Sequence, residues 1–208
     1  MSDLIKVVIV DDHKSIRDSL EMEFHAKNGF EVVASVDNAD VGVAACHNKH
    51  PALIITDVCT ARGASGLAAA GKIRELYPEI KIIVTSGFDE ITYSTRAKEL
   101  GAHAFVYKEL GLGNYLEVAR RVLAGEYVFP EPRTIHMPKG EAPFTDREME
   151  ILSLLCRHKK VSDIAAELFI SELTVRRHIR NMLEKSNFST IMDLVLYIVS
   201  NGWINPNF

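Results

Sequence analysis

The sequence predicts an α/β fold, a (βα)5 unit on a parallel sheet, followed by a small all-α unit of four helices around a helix-turn-helix. Short apolar runs alternate with helical patterns over the first 125 residues, a proline-rich stretch interrupts them, and only helical periodicity follows. The 208 residues, 47% hydrophobic and 25% charged, suit two modest globular domains with real cores.

Lys6 to Val10, Glu31 to Ala34, Leu53 to Thr56, Ile82 to Thr85 and Ala104 to Tyr107 are the strand candidates. Near-continuous apolar runs such as Leu53, Ile54 and Ile55 mark strands buried on both faces, as in parallel sheets. Between them, Ser15 to Lys27, Asn38 to Lys49, Leu67 to Tyr77 and Ile91 to Leu100 are long enough for right-handed crossover helices, and Leu112 to Ala124 closes the series. Gly29, Gly101 and Gly125 each follow a helical pattern, where a left-handed C-terminal cap favours glycine. Domain boundaries follow at 1–125, 126–143 and 144–208, the middle segment being a linker crowded with Pro130, Pro132, Pro138, Gly140 and Pro143. Beyond it, Thr145 and Glu148 form a capping box opening a helix to Cys156. Val161 to Leu168, Ser171 to Ser186 and Thr190 to Asn201 are the remaining helices.

Composition narrows the function. A net charge of -4 excludes a generally basic nucleic-acid binder, so DNA contact must come from a local patch. Cys46, Cys59 and Cys156 are odd in number and far apart, which argues against a disulfide framework and structural zinc. A reducing cytoplasm fits. Asp3 and a first apolar run of only Val7 to Val10 predict neither a signal peptide nor a membrane span.

The chemistry gathers at one sheet edge. Asp11 and Asp12 follow the first strand and Asp57 the third, so three carboxylates meet where ligands bind in open parallel sheets. Uncompensated, they would raise one another's pKa, a cost that a divalent cation removes; Mg²⁺, with its preference for oxygen ligands, suits them. Thr85 ends the fourth strand as a hydroxyl and Lys108 follows the fifth as a fixed ammonium. Singly these residues have ordinary roles: a turn aspartate, a helix cap, a β-branched strand residue, a solvated lysine. Jointly they supply what is needed to form and hold an aspartyl phosphate.

On those residues, 1 to about 125 resemble the receiver domain of two-component response regulators, a flavodoxin-like fold. The resemblance implies that Asp57 accepts a phosphoryl group from a sensor histidine kinase. It implies that Asp12 and Asp57 ligate Mg²⁺ directly, Asp11 through water, and Cys59 through its backbone carbonyl. Thr85 and Phe105, three residues before the lysine, correspond to the family's switch pair. Two departures stand out. Thr60 and Ala61 replace the usual Met-Pro, with Gly66 nine rather than eight residues past Asp57, so the loop from Cys59 to Ser65 is one residue longer. Lys108 is followed by Glu109 rather than proline, so no cis peptide is predicted and the lysine is less rigidly placed.

In the helical half, Ser171 to Ser186 is the informative helix. Val175, Ile179, Met182 and Leu183 share one face, while Arg176, Arg177 and Arg180 cluster on the other beside Leu173. Solvated arginines are one reading; phosphate and base-edge contact in a major groove is the other, with Glu172 and Glu184 outside the patch. Lys159 and Lys160 before the preceding helix add candidate backbone contacts. Residues 144 to 203 resemble the LuxR-type DNA-binding domain through Phe144 to Glu148, Ile151 and Leu152, Asp163 to Ala165, Leu168, Ile170 and Ser171, and Thr174 to His178. Receiver plus this domain is the NarL/FixJ arrangement, which implies DNA contacts at Arg176, Arg177 and Arg180 and a dimer surface on the last helix. His178 is expected to be structural. His158, Lys160 and Val161 depart from the family's turn, Ile191 stands where arginine is common, and Ser186 and Asn187 replace a Leu-Gly helix end; Asn187 can take the left-handed cap itself.

The expectation is a cytoplasmic transcription regulator, not an enzyme, in which phosphorylated Asp57 promotes dimerisation on promoter DNA. RNA polymerase is a further partner that the arrangement allows. Two rivals are weighed. An aspartate-nucleophile phosphatase would need a carboxylate two residues past Asp57, where Cys59 stands. A phosphorylation-independent binder would use the receiver only to dimerise.

Overall fold

The computed structural model describes residues 4–87, 91–108, 114–131 and 144–201, with 203, 204 and 206. They fall into two compact units, one holding the sheet and the other the four C-terminal helices.

The sheet consists of β1 (Ile5–Val10), β2 (Phe30–Val36), β3 (Leu53–Asp57), β4 (Lys81–Ser86) and β5 (Ala104–Tyr107), all parallel, in the order β2-β1-β3-β4-β5. The crossovers run through α1 (Lys14–Glu23), α2 (Ala39–Lys49), α3 (Gly66–Leu76) and α4 (Ile91–Glu99), and α5 (Asn114–Leu123) follows β5. Every side chain of β3 is buried, the signature of a strand covered on both faces. Leu20 and Phe24, at the end of α1, and Tyr115, Ala119 and Val122 of α5 pack on Val7, Ile9, Ile55 and Val106, while α2 and α3 contact the opposite face. Strand order reverses between β1 and β3, and the crevice beyond their carboxyl ends is the place where such sheets bind ligands.

Two segments differ from the sequence prediction. α1 ends at Glu23 instead of Lys27 because Phe24 leaves the helical region (φ -89°, ψ 66°), and its ring packs edge-on against Phe30 at 5.0 Å. A 3-10 turn over Ala26–Asn28 then leads to left-handed Gly29. The second difference is at the start of the linker, where Val128 donates to the His103 carbonyl and accepts from the Phe105 N–H, both at 3.0 Å, as a parallel bridge on the edge of β5. The expected linker residues 132–143 lie outside the described residues, as does Glu109.

The helical unit consists of α6 (Asp146–Cys156), α7 (Val161–Glu167), α8 (Glu172–Ser186) and α9 (Ile191–Ser200). The capping box is present: Thr145 Oγ1 accepts from the Glu148 N–H and Glu148 Oε2 from the Thr145 N–H. Glu148 is buried and also receives Lys185 Nζ at 2.7 Å, so one carboxylate ties the start of α6 to the end of α8. Asn187 closes α8 in the left-handed region, φ 57°. Ile151, Leu152, Ile164, Val175, Met182 and Ile198 form the centre of its core.

His103 precedes β5 and is 2% exposed, its Nδ1 accepting from the Ile82 N–H at 3.2 Å and its ring stacked on Tyr127. Burial, with Lys81 and Arg74 nearby, pushes its pKa down to about 4. The unfolded chain therefore binds a proton from about pH 6.5 downward that the folded chain refuses until about pH 4. Its stabilising contribution is complete above pH 6.5 and falls by up to roughly 3 kcal/mol towards pH 4. His103→Asn keeps an acceptor for Ile82 but cannot titrate. The expected result is that the difference in unfolding free energy between wild type and variant, followed by denaturant titration, changes between pH 6.5 and 4 and is flat above pH 7.

Candidate functional site

Parallel register sets the acidic site. Val10 of β1 lies opposite Thr56 of β3, so Asp11 and Asp57 leave neighbouring strand ends, and Asp57 pairs in register with Thr85 of β4. Asp11 and Asp57 are 1% and 4% exposed, whereas Asp12 is exposed. Lys108, just past β5, places Nζ 2.6 Å from Asp11 Oδ2 and 2.8 Å from Asp57 Oδ2. The absence of a following proline therefore does not leave it loose: two buried carboxylates fix the ammonium.

Burial raises the Asp57 pKa to about 6; Lys108 lowers it, by charge and by hydrogen bond, and Asp11 and Asp12 raise it further. Burial alone would lower the Lys108 pKa, but the two carboxylates outweigh it and hold the ammonium charged. Ligand atoms of Asp11, Asp12, His13 and Asp57 all lie within 4.8 Å of one another. Oxygen donors grouped around a carboxylate of raised pKa fit a hard divalent cation.

Sequence reasoning missed three residues here. His13 Nδ1 stands 2.6 Å from Asp12 Oδ1, and the His13 backbone N–H donates to Asp11 Oδ1. Arg17 Nη1 donates to the Asp11 carbonyl at 2.7 Å. Tyr115, buried in α5, is hydrogen-bonded to Thr85, and burial raises its phenol pKa. For His13 and Arg17 the available signal was position, within six residues of Asp11; for Tyr115 there was none.

The longer loop after Asp57 is pinned. Cys59 bridges Ser65, a 3-10 turn spans Ala61–Gly63, and Arg62 takes the left-handed region at φ 60°. Thr60 Oγ1 accepts from the Ala39 N–H, Ala61 N–H donates to the Asp37 carbonyl, and Asn38 Nδ2 donates to the Ala61 carbonyl. The inserted length is thus absorbed against the turn before α2. Gly66 starts α3 so close to β3 that a Cβ would stand 1.8 Å from the Asp57 carbonyl oxygen. Phe105 is buried, edge-on to Tyr107 at 5.0 Å.

A second candidate surface lies on α8. Val175 and Met182 are buried and Ile179 and Leu183 half-buried, which leaves Arg176, Arg177 and Arg180 exposed on the other side. Glu172 is not outside this patch, since its Oε2 reaches Arg176 Nη2 at 3.6 Å, one helical turn on. Lys159 pairs with Glu167 at 3.5 Å, and Lys160, exposed, is the N-cap of α7. His178 is half-buried, with a buried Nδ1 that finds no hydrogen-bond partner among the described residues. On α9, Met192 and Leu196 are 62% and 60% exposed.

The family model of the response regulator receiver domain matches residues 7–120, and that of bacterial regulatory proteins of the luxR family matches residues 142–198. A nitrate/nitrite response regulator protein homolog of Haemophilus influenzae is 30% identical, over 97% of this chain and all of its own length. The transcriptional regulatory protein DegU of Brevibacillus brevis is 26% identical over 96% of this chain and 95% of its own. The structure of two RcsB dimers bound to two parallel DNAs shares the fold, with a TM-score of 0.64 at 18% identity over 95% of this chain and 98% of that one.

The raised pKa makes ionised Asp57 a destabilising group: its cost is absent below about pH 3.8 and complete above about pH 6. Asp57→Asn removes it. In metal-free buffer at pH 7.5 the expected result is a receiver more stable by about 1–3 kcal/mol, read from the denaturant midpoint, with the gain shrinking as Mg²⁺ is added.

Proposed function

The chain belongs to the response-regulator family, a receiver domain followed by a LuxR-type regulatory domain, and we propose that phosphorylation of Asp57 controls its binding to promoter DNA. In this reading residues 1–125 are the receiver, 126–143 the linker and 144–208 the DNA-binding domain. The observation that carries it is the Lys108 ammonium bridging two buried carboxylates at the end of β3, in register with Thr85.

Asp11, Asp12, Asp57 and the Cys59 carbonyl are assigned to Mg²⁺, which when bound neutralises charge on the transferring phosphoryl group. The ionised Asp57 carboxylate attacks the phosphorus of a phosphoimidazole on the sensor kinase. An O–P bond forms as the P–N bond breaks, and the imidazole leaves with the electron pair. Lys108 balances the charge on the new phosphoryl oxygens. Thr85, in register with Asp57, is assigned to a hydrogen bond with the phosphoryl group in place of the one it makes to Tyr115, and Phe105, on the neighbouring strand, is assigned as the switch aromatic. The Phe105 N–H is bonded to Val128, so β5 joins this site to the first residues of the linker. Cys59, two residues past Asp57, lacks the carboxylate that an aspartate-nucleophile phosphatase requires, which supports a regulator over an enzyme.

Arg176, Arg177 and Arg180 are assigned to DNA, with Lys159 and Lys160 as phosphate contacts, and α9 to the dimer interface through Met192 and Leu196. Relatives named as transcriptional regulators and the DNA-bound RcsB dimers support this. RNA polymerase is a further partner that this reading allows. Among the described residues no helix is long and apolar enough to cross a membrane, and the cytoplasm is the compartment proposed.

Beryllofluoride with Mg²⁺ mimics the phosphoryl group. The expected result is a shift to dimer in sedimentation and at least about tenfold tighter binding to the chain's own upstream DNA, a differential stabilisation of about 1.4 kcal/mol. Unchanged mass together with unchanged affinity would overturn the switch. Separately, Arg176→Ala and Arg180→Ala are each expected to weaken binding across all sequences and to lower the slope of log K against log salt by about 1. Full affinity at physiological salt in both variants would place the recognition surface elsewhere.

A further inference from the structure

The three arginines of α8 share their face with one apolar residue. Leu173, Arg176, Arg177 and Arg180 follow the i, i+3, i+4, i+7 spacing of a single helical stripe, and all four are exposed. Leu173 is 77% exposed, two residues into the helix, while Val175 and Met182 on the far side are fully buried. The orientation of α8 is fixed by that buried face, so Leu173 cannot turn into the core without pulling Val175 out of it.

A single exposed leucine on a protein surface needs no explanation. This one differs by its place. The helical unit from residue 144 onward carries eight Lys and Arg against eight Asp and Glu, so it has no excess charge, yet the stripe concentrates three cations around one alkyl group. A surface of that composition complements a polyanion that also presents apolar groups. The major groove of DNA does so: phosphates line its rims, and each thymine projects a C5-methyl group onto its floor. The N-terminal residues of a recognition helix are the ones that reach the base edges, and Leu173 occupies that position. Its side chain has neither donor nor acceptor, so it can read a methyl group but not a hydrogen-bonding edge.

We propose that Leu173 is a specificity-determining residue of the DNA-binding surface, packing on a thymine methyl group while the arginines that follow it hold phosphates and base edges. The proposal rests on the assignment of α8 to DNA. Beside arginines whose contacts depend on salt, Leu173 supplies discrimination that is independent of salt.

The test uses the full chain loaded with beryllofluoride and Mg²⁺, and duplexes it selects from a random-sequence pool. In the selected duplex each thymine is replaced in turn by deoxyuridine, which removes only the methyl group, and affinity is measured for wild type and Leu173→Ala. Alanine retains helix propensity, and the site is exposed, so folding is preserved; an unchanged thermal midpoint and salt slope check this. The expected result is one thymine per half-site whose replacement weakens wild type about fourfold, the effect of one buried methyl group. The same replacement leaves Leu173→Ala unaffected. Uracil effects equal in the two proteins, or none in wild type, would overturn the role of Leu173 while leaving the DNA assignment intact. Failure to enrich any duplex, with no salt-dependent binding, would overturn the DNA assignment and this proposal with it.

Discussion

The receiver depends on one constraint: two carboxylates, Asp11 and Asp57, are buried within reach of a single ammonium, that of Lys108. Charges taken out of water are costly unless paired with good geometry, and Lys108 is the member whose loss would leave both acids uncompensated. The three residues come from three strands, so the pairing holds only if β1, β3 and β5 end at matching heights. The parallel register of the sheet and the burial of every β3 side chain enforce that. Burial, with the neighbouring Asp11 and Asp12, holds the Asp57 pKa up even with the ammonium beside it. This residual electrostatic strain is the chemical character of the site, because a cation or a modification that relieves it is favoured by the fold.

Much of this was legible in the sequence because it was written in periodicity. Five apolar runs separated by helical patterns dictate a parallel sheet, and acids, hydroxyl and lysine at the ends of those runs dictate where they meet. The capping box at Thr145 and Glu148 and the left-handed Asn187 were equally readable, since both are local chemistry. What escaped reading was tertiary. α1 stops early because Phe24 turns inward onto Phe30, a contact between residues that no helical pattern links. Val128 joins β5 through a single bridge, too short for any alternation to announce. Thr85 and Tyr115 meet only because α5 folds back over β4. Glu172 entered the arginine patch because side chains four apart on a helix are neighbours even when one is acidic.

The departure of the loop after Asp57 illustrates how an insertion is accommodated. A longer connection costs little conformational entropy, but next to a reactive carboxylate it must still be held. Here the backbone of Ala61 and the hydroxyl of Thr60 bond to the segment Asp37 to Ala39 on the neighbouring turn, and Gly66 lets α3 start in contact with the Asp57 carbonyl. The loop turns at Ala61–Gly63, where Arg62 and Gly63 are exposed.

On α8 the buried face dictates the exposed one. Val175, Ile179, Met182 and Leu183 must face the core of the helical unit, and an α-helix has no freedom to choose what stands opposite. Three arginines within five residues repel one another, and the Glu172 carboxylate offsets part of that for Arg176. A phosphate competing for Arg176 must displace this pair. The exchange is nearly even on an exposed surface, where ion pairs are worth little. On the proposed assignment of α8 to DNA, the stripe can thus remain stable in the free protein at little cost to binding, while Leu173, an apolar side chain, has no ion pair to surrender.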